Sequence, residues 1–184
     1  MKKILIGVVI VVVLAVLYGL ATYNSLVTLN VSVDTQWKQV ETDYQRRFDL
    51  IPNLVESVKG IMKQEQEVFT AIADARTKYS GATSPDEKAK AAGQVESALG
   101  RLLVITENYP QLKSSETVVT FMSQLEGTEN RISVERMRYN EYVKSYNLKV
   151  MRVPSSIVAS MTGFEEREYF NAEVGADKAP EVKF

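Results

Sequence analysis

Four charged residues interrupt otherwise apolar stripes: Arg47 and Glu65 in the N-terminal half, Glu129 and Arg136 in the C-terminal half. A guanidinium drawn into an apolar seam loses its water at a cost of several kcal/mol, so it needs a carboxylate beside it. Glu129 is the natural partner for Arg47, and Glu65 and Arg136 could pair in the same way. Two chemistries fit this pattern. In the first, the residues are ion pairs that fix the alignment of packed helices. In the second, they edge a polar pocket completed by Arg46, Asp49 and Asn53 beside Pro52. The pairs Tyr139-Asn140 and Tyr146-Asn147 lie seven residues apart and so share one helix face. Packing with hydroxyls that reach a neighbouring helix is one use for them; an aromatic ledge for a ligand is the other.

Composition excludes much. The chain has no histidine and no cysteine, which removes the commonest acid–base group, the thiol nucleophile and the commonest metal ligands. Scattered helical carboxylates without histidine do not make a di-iron site, and no glycine-rich phosphate loop is present. No catalytic residue, metal site or cofactor is expected. A net charge of −1 gives no field for nucleic acid.

The elements that position these residues are helical. Steps of four and three from Leu26 run through Asn30, Val33, Trp37, Val40, Tyr44, Arg47, Ile51, Leu54, Val58, Ile61, Glu65, Val68, Ile72 and Ala75 to Tyr79. The phase does not slip, even across Pro52. This predicts a single long helix over residues 22–79, bent at Pro52, with Gly60 a lesser defect and Asp49 capping the backbone groups that proline frees. Ser84-Pro85-Asp86-Glu87 carries the marks of a helix start and a capping box. A second helix follows to about Asn108. A third runs from about Ser114 to Val150, and a short fourth spans Ser155 to Met161, closed by Gly163. No strand signal appears. The expected fold is all-α: a single N-terminal transmembrane helix continuing into a long kinked helix of an antiparallel bundle.

Ile4 to Ala21 is an uncharged apolar run of 18 residues, spanning roughly 27 Å, close to the thickness of a bilayer core. Lys2 and Lys3 precede it, and the next basic residue is Lys38. The positive-inside bias then puts the N-terminus in the cytoplasm and the bulk of the chain on the far side of the membrane. A cleaved signal peptide is the rival reading. The organisation expected is a cytoplasmic start (1–3), a span (4–21), a bundle (22–164) and an acidic, partly mobile tail (165–184).

The second helix is too short to cover the membrane-proximal part of the first. Leu26, Val33, Trp37, Val40 and Tyr44 are thus expected to lack a partner within the chain. A bare apolar stripe of that kind marks a protein interface, and a homo-oligomer joined through these stalks is the expectation, with the bilayer and other membrane proteins as further partners.

Several motifs together resemble the LemA family. They are Tyr23-Asn24, Trp37, the run Arg46-Arg47-Phe48-Asp49-Leu50-Ile51-Pro52-Asn53-Leu54-Val55, Glu107-Asn108-Tyr109-Pro110, Leu125-Glu126-Gly127-Thr128-Glu129-Asn130-Arg131-Ile132, Arg138-Tyr139-Asn140, Gly163-Phe164 and Tyr169-Phe170. The likeness covers nearly the whole chain. It departs at Gln64, where many members carry histidine. The resemblance implies a bacterial membrane protein with one N-terminal span and a helical bundle, a loosely defined molecular role and no assigned catalytic residues. It also implies kinship with magnetosome membrane proteins, and hence a scaffold in membrane organisation. A module that holds a small molecule or peptide near Arg47, Asn53 and Tyr139 is the alternative.

Overall fold

A computed structural model describes residues 1–62 and 65–170. Every regular element among them is helical: α1 (Lys2–Lys59), α2 (Gln66–Gly81), α3 (Pro85–Thr106), α4 (Pro110–Lys113), α5 (Glu116–Met151) and α6 (Ser155–Thr162). The chain divides into two compact units. One joins Met1–Lys38 to Met137–Tyr169; the other is built on Gln39–Arg136. Both long helices, α1 and α5, contribute to each unit.

In the first unit, all of residues 1–21 are solvent-exposed or nearly so, and burial begins at Thr22. The apolar window of α1 is long enough to cross a membrane and no part of it is buried. Beyond it, Leu26, Val33 and Trp37 are buried together with Tyr139, Val143 and Tyr146 of α5 and Ala159 of α6. The Trp37 and Tyr139 rings meet edge to face at 5.8 Å. Burial of these side chains is worth roughly 1.5–3 kcal/mol each. α6 ends where Gly163 takes φ +75°, a left-handed turn that a side chain would disfavour by about 1 kcal/mol.

In the second unit, α1 passes through Pro52, whose ring sits on an exposed side. The expected continuation to Tyr79 does not occur. α1 stops at Lys59, the chain turns at Gly60–Ile61, and α2 runs back along α1. The Tyr79 ring then lies 4.3 Å from Phe48 and 5.7 Å from Tyr44. The unbroken apolar phase concealed this reversal. Both arms bury the stripe, with Ile51, Leu54 and Val58 on one side of the turn and Val68, Ile72 and Ala75 on the other; at the turn itself Ile61 is exposed and Met62 is buried in its place. A periodicity count cannot distinguish a helix that continues from one that folds back in register. Nor does Asp49 serve Pro52: its Oδ1 accepts from Gln45 Nε2 at 2.8 Å on the exposed side of α1. The α3 start follows expectation. Glu87 N donates to Ser84 Oγ at 3.2 Å, while the Glu87 carboxylate accepts from the backbone of Ser84 and Thr83 at 3.2 and 3.0 Å. These bonds hold the Glu87 carboxyl below its ordinary pKa.

A second expectation is overturned here. The stripe Leu26, Val33, Trp37, Val40 and Tyr44 is buried inside the single chain. In the first unit α5, α6 and the segment after them supply the cover. In the second, Tyr79 and Arg136 lie against Tyr44. The proposed oligomer interface through these five residues therefore loses its physical motive. Helix lengths alone do not reveal this cover, because it comes from α5, α6 and the chain after them folding back onto the start of α1. The mobile end expected of the 165–184 tail, residues 175–180, and the departure at Gln64 both lie outside the described residues. Residues 165–169 are fastened, as described below.

Candidate functional site: the buried arginine cluster

Arg47 reaches the interior of the second unit from the buried face of α1 and is 2% exposed. Its Nη2 lies 2.9 Å from Glu129 Oε2 of α5, and its Nη1 3.9 Å from Glu96 Oε2 of α3. The same Glu96 oxygen is 3.4 Å from Arg136 Nη2. Arg136 Nε donates to the Tyr44 hydroxyl at 3.1 Å. Both guanidinium carbons lie over the Tyr44 ring, at 5.7 Å for Arg47 and 5.6 Å for Arg136. The close approach of Arg47 Nη2 to Glu129 is an ion pair but not an aligned hydrogen bond. Nε and Nη2 of Arg47 are buried with no directed acceptor.

Two cations and two carboxylates bring this cluster to neutrality. Burial depresses the Arg47 pKa, and Glu129 and Glu96 oppose that, yet a guanidinium stays charged at any pH of interest. Burial raises the Tyr44 phenol, with Arg136 opposing it, so Tyr44 stays protonated. Neither guanidinium nor the Tyr44 phenol exchanges a proton near neutrality. The arrangement can lock three helices in register.

The residues singled out in the sequence separate into four places. Arg47, Glu129 and Arg136 meet in the cluster. Glu65 does not join Arg136; it accepts from the Tyr109 hydroxyl at 3.3 Å. Arg46, Asp49 and Asn53 are exposed on α1, so they line no pocket with Arg47. Tyr139 and Tyr146 belong to the first unit, where they bind the chain after α6. Tyr146 Oη donates to the Glu165 carbonyl at 2.9 Å, and Tyr139 Oη to that of Glu168 at 3.4 Å. There Arg167 closes on Asn30, at 2.9 and 3.2 Å, and on Asp34 at 2.7 Å. Glu96 and Arg167 were not singled out from the sequence, and Asn147 was noted only as the neighbour of Tyr146 in a Tyr-Asn pair. Asn30 left a signal, as a polar residue at a seam position; Glu96 left none.

Beside the cluster lies an open cleft of about 640 Å³. Leu99, Leu103, Val119, Met122 and Leu125 line most of it, and Arg47, Glu96 and Glu129 form its polar wall.

A membrane-length apolar helix leading into an all-α bundle, with a neutral internal ion cluster, defines a class of anchored helical proteins. The sequence model of the LemA family matches residues 36–184, and the chain belongs to that family. Among curated relatives, Magnetosome protein MamQ 2 and MamQ 1 of Paramagnetospirillum magneticum are each 28% identical, over 86% of this chain and 68% of theirs. Protein LemA of Metamycoplasma hominis is 27% identical over 65% of this chain and 55% of its own.

Proposed function

We propose that this protein is a membrane-anchored, non-enzymatic scaffold or adaptor that organises other components at a bacterial inner membrane. The observation that carries the reading is the continuity of α1, which joins the exposed apolar window to the packed helices without a break. The internal pairing of Arg47, Arg136, Glu96 and Glu129 supports it, since the most buried charges are occupied with one another. So does the likeness to relatives named as magnetosome proteins. In this reading the N-terminus with Lys2 and Lys3 is cytoplasmic and the bundle extracytoplasmic. Self-association, where it occurs, uses exposed apolar residues other than the buried stripe; Leu103 and Val119 at the cleft are available. The test is the mass of the full chain in lipid nanodiscs, alone and with membrane extract, for the native protein and for Leu103→Asp with Val119→Asp. A defined complex that the double variant loses supports the reading. A monomer with no partner under every condition refutes it.

The cleft favours a second reading, an extracytoplasmic module that holds a small molecule or peptide. Arg47 lines the cleft, whereas Asn53 and Tyr139 do not. A bound apolar ligand that shifts the methyl resonances of Leu99, Leu103 and Met122 would support it; unchanged resonances would remove it.

A further inference from the structure

α6 is built inside out for a helix in water. Its inner face is small and polar or nearly so, with Ser155 and Ala159 buried. Its outer face is large and apolar. Ile157 is 58% exposed and Met161, one turn on, 82%; Val153, in the turn that leads into α6, is 79% exposed. Met151, at the end of α5, is exposed as well. Large apolar side chains left open on a short helix in this way mark a surface that is covered in use.

Its position says by what. The chain leaves α6 through Gly163, and the Phe164 ring then sits 5.9 Å from that of Tyr23. Tyr23 is two residues beyond the end of the Ile4–Ala21 apolar run. At roughly 27 Å that run is slightly shorter than a typical hydrocarbon core of ~30 Å. The residues that follow it are therefore drawn against the headgroups. α6 is packed at this height through Phe164, and it carries no charge of its own. Arg152 precedes it and Glu165-Glu166 follow it, as flanks that would stay in water.

We propose that α6, with Val153 ahead of it, lies in the lipid–water boundary and immerses Val153, Ile157 and Met161 in the outer edge of the acyl layer. The protein then touches the bilayer twice, once by crossing it and once by resting on it. This rests on the reading of α1 as a span. The contact is apolar, so it does not depend on anionic lipid.

The absence of cysteine makes the test direct. Single cysteines at Ile157, Met161 and, as a reference in the span, Val12 carry nitroxide labels in the full chain, reconstituted in phosphatidylcholine nanodiscs. All three sites are exposed, so labelling leaves the fold intact, which circular dichroism checks. Collision with oxygen and with a water-soluble nickel chelate is then measured. The expected result is that positions 157 and 161 meet oxygen more than chelate, at a shallower depth than position 12. Chelate-accessible labels at 157 and 161 with a lipid-buried position 12 would overturn the proposal and leave the span standing. Labels at 157 and 161 shielded from both reagents would reveal a protein cover and also overturn it. A water-exposed position 12 would overturn the span and the proposal with it.

Discussion

The side-chain amide of Asn147 pairs with the backbone of Arg167 at both ends: Nδ2 donates to the Arg167 carbonyl at 2.8 Å, and Oδ1 accepts from the Arg167 N–H at 2.8 Å. A helical side chain thus does what a neighbouring strand would do, and satisfies a backbone segment that belongs to no helix. Asn147→Leu removes both partners and leaves that N–H and carbonyl facing apolar surface. A loss of roughly 2–3 kcal/mol is expected. Hydrogen exchange at the Arg167 amide should quicken well before that of Val143.

The ion cluster makes an unequal prediction. Glu129→Gln leaves the buried Arg47 guanidinium with only the more distant Glu96, and is expected to cost about 1–3 kcal/mol, limited because water reaches the Glu129 side. Arg47→Met removes the buried cation, while Glu96 keeps Arg136 and the partly exposed Glu129 can turn to solvent, so it should cost less than Glu129→Gln or even stabilise. Urea unfolding of both variants in the same detergent checks the order. A reversed order would mean that Arg47 contributes more than register.

Trp37→Ala tests the covered stripe. Loss of a buried tryptophan against Tyr139 should cost about 3–5 kcal/mol, visible as a lowered thermal midpoint, with no change in mass in nanodiscs. A change of assembly state without loss of stability would restore the stripe as an interface.

The α3 start carries a pH dependence. The Glu87 carboxyl is held below its ordinary value by backbone donors in the folded state. Its contribution is therefore complete above the unfolded value and is lost as pH falls through the folded one. Carbon-13 titration should find Glu87 below the ordinary glutamate value in the native chain and nearer to it in Ser84→Ala. Ser84→Ala should cost about 1 kcal/mol.

Much of the fold was legible because its signals are local. Ser84, Pro85 and Glu87 announce a helix start within four residues, and Gly163 a helix end within one. The pairing of Arg47 with Glu129 followed from a simple demand, that a cation on an apolar seam must meet an anion. What escaped notice is long-range. The return of α2 along α1 preserves phase, so nothing in the pattern marks it beyond Gly60. Glu96 looks like any exposed helical glutamate until α3 is laid beside α1 and α5. The hold of Asn147 on Arg167 joins residues that share no motif.

Thr22 is buried directly behind the last residue of the apolar run. The apolar run of α1 therefore passes straight into packed helix, with no flexible linker between them. On the proposed reading of that run as a span, the residues packed behind it are rooted by a stiff helix and not by a tether.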